Sequence, residues 1–112
     1  MTSLTESERV KQRWASFFEI PDDELQELMS CLAGTLRNIK QNLQNHFEQI
    51  DFEALAREAH ALKEVSGPDL EFLRDLASKL EGQAKERNPI ATGYLIDGIV
   101  KAINFSLSQF PA

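Results

Sequence analysis

Apolar residues recur at intervals of three and four along almost the whole chain, and no stretch alternates apolar and polar residues as a half-buried strand does. This spacing predicts amphipathic helices that each bury one face. The longest stripe belongs to the second predicted helix and runs through Leu25, Met29, Leu32, Leu36, Ile39, Leu43, Phe47 and Ile50. The pattern therefore predicts an all-α fold.

Proline and capping residues divide this pattern into five helices. Pro21 ends the first, because the residue before a proline avoids the helical conformation. Asp51 is a candidate N-cap for the third helix, and Asn88-Pro89 fits a cap followed by a first-turn proline for the fifth. The turn-forming residues Ser66–Asp69 separate the third helix from the fourth.

Four long amphipathic helices with short connections predict an antiparallel up-down four-helix bundle, with an additional short N-terminal helix. The 112 residues fit a single domain, 1–112, and we place the bundle core at about residues 22–109. The N-terminal helix should pack across the bundle and contribute Trp14, Phe17 and Phe18.

The charge balance narrows the choice of partner. A net charge of −6 and a pI near 4.9 argue against binding to nucleic acid or to an anionic membrane. No apolar run approaches the ~20 residues that cross a bilayer, and the first ten residues lack the basic start and apolar stretch of a secretory signal. We therefore expect a cytoplasmic protein that contacts no membrane.

Cys31 is the only cysteine, which excludes an intramolecular disulfide. Its neighbours Leu28, Met29 and Leu32 favour a small buried thiol at this position. No cluster of cysteine and histidine shows the spacing of metal ligands, so we expect no metal site.

His60 is the residue most suited to chemistry. A helix turns about 100° per residue, so if Ala59 and Leu62 face the core, His60 faces solvent. Residues three and four positions away share its stripe, and they are Ala56, Arg57, Lys63 and Glu64, with Gly67 a further turn along. His46, at the edge of the stripe of the second helix, is interpreted as a boundary residue.

An exposed imidazole with a lysine one turn away suits acceptance of a phosphoryl group. A histidine ordinarily titrates near pH ~6.5, so much of it is a neutral nucleophile at neutral pH. Lys63 can bring a cation to the group that the ring accepts, and Ala56 and Gly67 leave the approach open. On spacing alone, however, a His-x-x-Lys pair on an exposed helix is more often incidental.

The segment ALAREAHALKEVSGPDLEFLRDLASKLE, Ala54–Glu81, resembles the core of histidine-containing phosphotransfer (HPt) domains. The family shows A-H-x-L-K-G and then a helix of the type L-x-x-L-x-x-x-L-E. The matching residues are Ala59, His60, Leu62 and Lys63, followed by Leu73, Leu76, Leu80 and Glu81. In architecture the resemblance extends over Leu25–Ile103, although its specific motif covers about a quarter of the chain.

The resemblance implies a phosphorelay intermediate. His60 would be the nucleophile that accepts a phosphoryl group from a receiver-domain aspartyl phosphate, and Lys63 would stabilise that group. His60 would then pass the phosphoryl group to another receiver. Docking would use the exposed faces of the second and third helices, with Ala56, Arg57 and Gly67. The partners would be response-regulator receiver domains or a hybrid sensor kinase, and the receiver would hold the Mg²⁺ while this chain binds no cofactor.

The resemblance also implies a monomer, although the aromatic first helix leaves dimerisation open. An autonomous kinase is not expected, because the sequence contains no glycine-rich phosphate loop.

Glu64 departs from the family, which has glycine after the lysine. Four residues after His60, its carboxylate can touch the ring, where it would orient the imidazole, repel a phosphoryl group or hinder a partner. Glu64 is therefore a modulating residue, and it leaves two further interpretations open. One is a degenerate HPt-like module that docks a receiver or kinase without transferring phosphate, and the other is an unrelated helical interaction module in which His60 is incidental.

Overall fold

A computed structural model of the protein describes residues 6–65 and 70–110. This part of the chain contains five α-helices and no strand, which confirms the predicted all-α class. The helices are α1 (Glu6–Phe18), α2 (Asp22–Glu48), α3 (Phe52–Lys63), α4 (Glu71–Lys85) and α5 (Pro89–Gln109).

The helices enclose one apolar core. α2 and α4 each pack against both α3 and α5, while α1 packs against α2 and α5. The largest side chains that are almost fully buried are Val10, Trp14, Leu25, Leu36, Leu43, Leu55, Leu62, Leu70, Leu73, Leu80, Ile99 and Ile103. Each helix therefore buries one stripe, as the three-and-four spacing predicts.

Both predicted N-caps are confirmed. The side chain of Asp51 accepts a hydrogen bond from the backbone N–H of Ala54 at 3.1 Å, at the start of α3. Asn88 accepts one from the N–H of Ala91 at 3.1 Å, directly before Pro89 at the start of α5. These caps satisfy N–H groups in the first turn that have no partner inside the helix.

The end of α2 differs from the predicted stripe. α2 ends at Glu48, and Ile50 follows it with φ 55° and a side chain that is 69% exposed. The N–H of Asp51 donates to the carbonyl of His46 at 3.0 Å, a bond that closes helices ending in a left-handed residue. The inward position predicted for Ile50 is therefore wrong, because the chain has already left the helix.

The prediction of a buried thiol at Cys31 is also wrong, since this side chain is exposed. Met29 and Ala33 define the buried face of this part of α2, and Cys31 lies two residues from each. At about 100° per residue, that separation places Cys31 on the opposite side of the helix. The buried neighbour Met29 therefore does not share its face, and Leu28, which does, lies outside the buried core.

Three large apolar or aromatic side chains are also exposed in the structure, and one of them, Phe17, is predicted from the sequence to pack on the bundle. Phe17 of α1 contacts Phe18 edge-to-face at 4.9 Å, but most of its surface faces solvent. Ile90 and Tyr94, at the start of α5, are exposed as well. Trp14 is buried and meets Phe110 edge-to-face at 5.0 Å, so this ring and the buried Val10 hold α1 on the bundle.

Within the described residues, α5 is the one helix that is long and apolar enough to cross a membrane, judged by length and composition alone. A core helix passes the same test, and 33% of the relevant window is buried inside the protein. Asp97 and Lys101 interrupt the apolar run and pair with each other at 2.9 Å.

Candidate functional site

His60 projects from α3 into solvent, as its spacing predicts. Ala59 and Leu62 are fully buried on the opposite side of the helix and fix its orientation. The His60 side chain is 58% exposed, so a reactant can reach the ring. The burial of Ala59 and Leu62 thus orients α3 so that the imidazole points into solvent.

Glu81 of α4 holds one edge of this ring. Its Oε2 lies 3.1 Å from Nδ1 of His60, and its Oε1 accepts a hydrogen bond from Nζ of Lys63 at 2.8 Å. Lys85, one turn further along α4, places its Nζ 3.8 Å from Oε2. The Glu81 side chain is only 15% exposed, so this carboxylate bridges α3 and α4 at the border of the core.

The surroundings of Glu81 keep it ionised. The hydrogen bond from Lys63 lowers the pKa of the Glu81 carboxyl, although partial burial opposes it. The charges of Lys63 and Lys85 and the hydrogen bond with His60 lower that pKa further. An ionised carboxylate can only accept hydrogen bonds, so Nδ1 of His60 carries the hydrogen. In the neutral ring the lone pair then lies on Nε2, which becomes the nucleophilic atom.

Glu64 lies at the other ring nitrogen. Its Oε1 is 3.4 Å from Nε2 of His60, and its side chain is 73% exposed. Only the imidazolium can donate to both carboxylates, because the neutral ring has a single N–H. Glu64 is the C-cap residue after α3, so its side chain can turn into solvent without disturbing core packing. The predicted contact with the ring is therefore present, but it can be broken.

The ammonium group of Lys63 forms an ion pair with Glu81 in this structure. Its side chain is partly buried, and its Nζ contacts the carboxylate of Glu81, which lies on the Nδ1 side of His60. The expected role toward a phosphoryl group stays a prediction, and it requires the ammonium to reach across the ring or to act through Glu81.

The remaining predicted positions divide between described and undescribed residues. Ala56 is half-buried and Arg57 is exposed, and both border a groove between α3 and α4. Gly67 lies outside the described residues. His46 is half-buried with its Nε2 4.0 Å from Oε1 of Glu58, as expected for a boundary residue.

The sequence analysis did not predict that Glu81 contacts His60 and Lys63, although Glu81 belongs to the matched motif. Its position offered a signal, because it follows fully buried Leu80 and lies four residues after fully buried Ala77. A carboxylate at the border of a core helix needs a partner. Pairing it with His60 and Lys63 required knowing how α4 packs on α3, which spacing within each helix does not reveal.

Among the described residues, no group of three or more histidine, cysteine, aspartate or glutamate side chains is arranged to hold a metal ion. The site described above consists of one imidazole, two carboxylates and two ammonium groups.

Comparison with known proteins gave no match: no family model, no curated protein and no solved structure is significantly similar to this chain.

Proposed function

We propose that this protein is a phosphorelay intermediate that accepts a phosphoryl group on His60 and passes it to another protein. One observation carries the proposal: the imidazole is 58% exposed and has Nδ1 held by an ionised, largely buried carboxylate, while the contact of Nε2 is with the exposed side chain of Glu64. This arrangement prepares one defined nitrogen for attack.

The chemistry follows from the two ring nitrogens. The lone pair of Nε2 attacks the phosphorus of an aspartyl phosphate, the bond from phosphorus to the aspartate oxygen breaks, and the aspartate leaves as a carboxylate. The new P–N bond draws positive charge into the ring, which the Glu81 carboxylate stabilises through Nδ1–H. Transfer to the next aspartate reverses these steps. The receiver partner would supply Mg²⁺ to balance the phosphoryl charge.

The proposal includes an architecture and a setting. α2, α3, α4 and α5 each contact two of the others in a closed ring, which favours an antiparallel up-down four-helix bundle with α1 added outside it. The partners would be response-regulator receiver domains or a hybrid sensor kinase in the cytoplasm. The protein would act as a monomer, without nucleic acid or membrane, and would not be an autonomous kinase.

The test is phosphate transfer from a panel of phosphorylated receiver domains. Wild type should acquire a label that is lost in acid and survives alkali, as phosphoramidates do, and His60→Gln should acquire none. His46→Gln is the matched control, because it removes the other histidine and should label like wild type. Label retained by His60→Gln would overturn the assignment.

Glu64 favours a second candidate, a degenerate module that binds a receiver or kinase without transfer. Its carboxylate lies 3.4 Å from the nitrogen that must attack. Receiver binding by wild type with no label on His60 would support this alternative. Binding of neither receiver nor kinase would favour an unrelated helical interaction module.

A further inference from the structure

A groove of about 380 Å³ opens between α3 and the end of α4, beside His60. Ala56 and Ala84 are its small residues, and Phe52 adds an apolar wall. Three cationic side chains, Arg57, Lys85 and Arg87, border it, together with the carboxylate of Glu53. We call this set the basic groove.

The basic groove has the opposite charge to the molecule as a whole. It has three cations against one carboxylate in a chain whose net charge is −6. Within the described residues, neither Arg57 nor Arg87 forms an ion pair, and both are exposed. Their guanidinium groups can therefore bind carboxylates, for which the planar arginine fork is well shaped.

The basic groove is continuous with the candidate site. Nζ of Lys85 lies 3.8 Å from Oε2 of Glu81, and the same oxygen is 3.1 Å from Nδ1 of His60. Arg57 precedes His60 by three residues, so the two share one side of α3. A segment lying in the groove would bring the rest of its protein over the ring.

We infer that the basic groove docks an acidic segment of the protein that exchanges phosphoryl groups with His60, an inference that rests on the proposed function. The net negative charge repels such a partner from the molecule as a whole, and the local positive charge attracts it beside His60. The pair of effects would orient the partner before contact. Docking on α3 and α4 also differs from the predicted use of the second and third helices.

The first experiment measures the groove without a phosphoryl group. A fluorescently labelled hexaglutamate peptide is titrated into wild type, the Arg57→Glu/Arg87→Glu variant and the control Arg9→Glu/Arg37→Glu. The control has the same charge change on exposed arginines of α1 and α2. Groove reversal should weaken binding by about tenfold or more at ~50 mM salt and the control by about twofold or less, with the difference shrinking at ~500 mM.

NMR spectra of the backbone amides identify where this peptide binds. Shifts should centre on Ala56, Arg57, Ala84 and Arg87. Arg57→Gln/Arg87→Gln, which removes charge without reversing it, should bind with intermediate affinity. Unchanged thermal unfolding of all variants ensures that the comparison is between folded proteins.

The second experiment separates docking from chemistry. Phosphoramidate is a small donor that needs no docking surface: its P–N bond breaks, a bond from phosphorus to Nε2 of His60 forms, and ammonia leaves. Wild type, groove variant and control should label equally from phosphoramidate at ~500 mM salt, which screens the effect of the changed charges on this small anion. Transfer from a phosphorylated receiver domain should fall about tenfold in the groove variant alone at ~50 mM salt.

The outcomes distinguish the two proposals. Equal weakening of peptide binding or receiver transfer in the groove and control variants would overturn the groove inference while leaving phosphotransfer intact. Absence of peptide binding to wild type would overturn it too. If peptide binding depends on the groove but neither donor labels His60, the basic groove stands as a docking surface for acidic segments and the phosphorelay proposal fails.

Discussion

The two histidines of this protein differ in how their ring nitrogens are held. His46 is half-buried, its side chain 28% exposed, and Nε2 faces Glu58 at 4.0 Å, while Glu58 itself accepts a hydrogen bond from Asn42. His60 is exposed, with Nδ1 held at 3.1 Å by a carboxylate that two lysines accompany. Proximity to a carboxylate is thus common to both. What distinguishes His60 is an Nδ1 fixed by Glu81 in a ring that is 58% exposed, with Nε2 on the side of the exposed Glu64.

Glu81→Gln should produce the largest loss short of removing His60. The amide keeps the shape but loses the charge, so it neither fixes the Nδ1–H tautomer as strongly nor stabilises the phosphorylated ring. A hydrogen bond to a charged group contributes about 1.5–3 kcal/mol, which corresponds to roughly tenfold to a hundredfold slower transfer.

Initial rates of receiver-to-His60 transfer at pH ~8 measure this effect. Glu58→Gln is the matched control, because it makes the same change beside His46 and should leave the rate unchanged. Similar rates in Glu81→Gln and wild type would remove the distinction between the two histidines.

Lys63→Ala should destabilise the fold by about 1 kcal/mol, a value that allows for solvent screening of a partly exposed pair. The substitution removes the closest donor to Glu81, whose carboxylate is largely buried. A lysine that only solubilised the surface would cost less than about 0.5 kcal/mol.

Denaturant unfolding of Lys63→Ala, Glu81→Gln and the double variant measures the coupling between the two residues. Lys101→Ala is the control, because it breaks the exposed pair with Asp97 and should not change stability measurably. Additive effects of Lys63→Ala and Glu81→Gln would show that their contact contributes nothing.

The pH dependence of stability should identify Glu81 as well. Because the folded state lowers the pKa of this carboxyl, its contribution is fully present above the pH at which an unfolded glutamate ionises, about 4.3. The contribution disappears as pH falls through the lower folded pKa. Stability of wild type relative to Glu81→Gln should therefore be constant near pH 6–7 and decline below about pH 4.3.

Chemical denaturation at a series of pH values tests this sign. The difference between wild type and Glu58→Gln should not follow the same course. A difference between wild type and Glu81→Gln that grows toward acid pH would contradict the charge network around Glu81.

Local signals in the sequence predicted the features that depend on local chemistry. Asp51 and Asn88 cap α3 and α5 as expected, and the burial of Ala59 and Leu62 displays His60. Each depends on residues within four positions of one another, which a helical period relates directly.

The failures arise where a helix ends or where a second helix decides the outcome. Ile50 continues the stripe in spacing but lies after the end of α2, and the side chain of Phe17 on α1 is 55% exposed because the helices that α1 contacts leave it uncovered. Glu81 reaches His60 only because α4 packs on α3. Such contacts depend on how two helices pack against each other, and the spacing of apolar residues within either helix does not determine that packing.

Glu64→Gly should have the smallest effect and the most informative sign. The Glu64 carboxylate faces Nε2 at 3.4 Å, where its negative charge repels an incoming phosphoryl group. Its exposure and salt screening limit that repulsion to roughly 1 kcal/mol, so removal should speed transfer by about tenfold or less. Because Glu64 caps α3 from outside the helix, glycine should change stability by less than about 0.5 kcal/mol.

The control Glu64→Gln separates charge from bulk, since it removes the carboxylate but keeps the length of the side chain. Equal acceleration in both variants would show that charge alone restrains His60. Acceleration by glycine only would mean that the side chain obstructs the docking partner, because the uncharged amide still occupies the approach to Nε2. If wild type transfers nothing and Glu64→Gly transfers readily, Nδ1 of His60 is held as a phosphoryl acceptor requires, but Glu64 blocks access to Nε2. The natural protein would then be a binding module, and the contrast between His60 and His46 would concern ring orientation rather than reactivity.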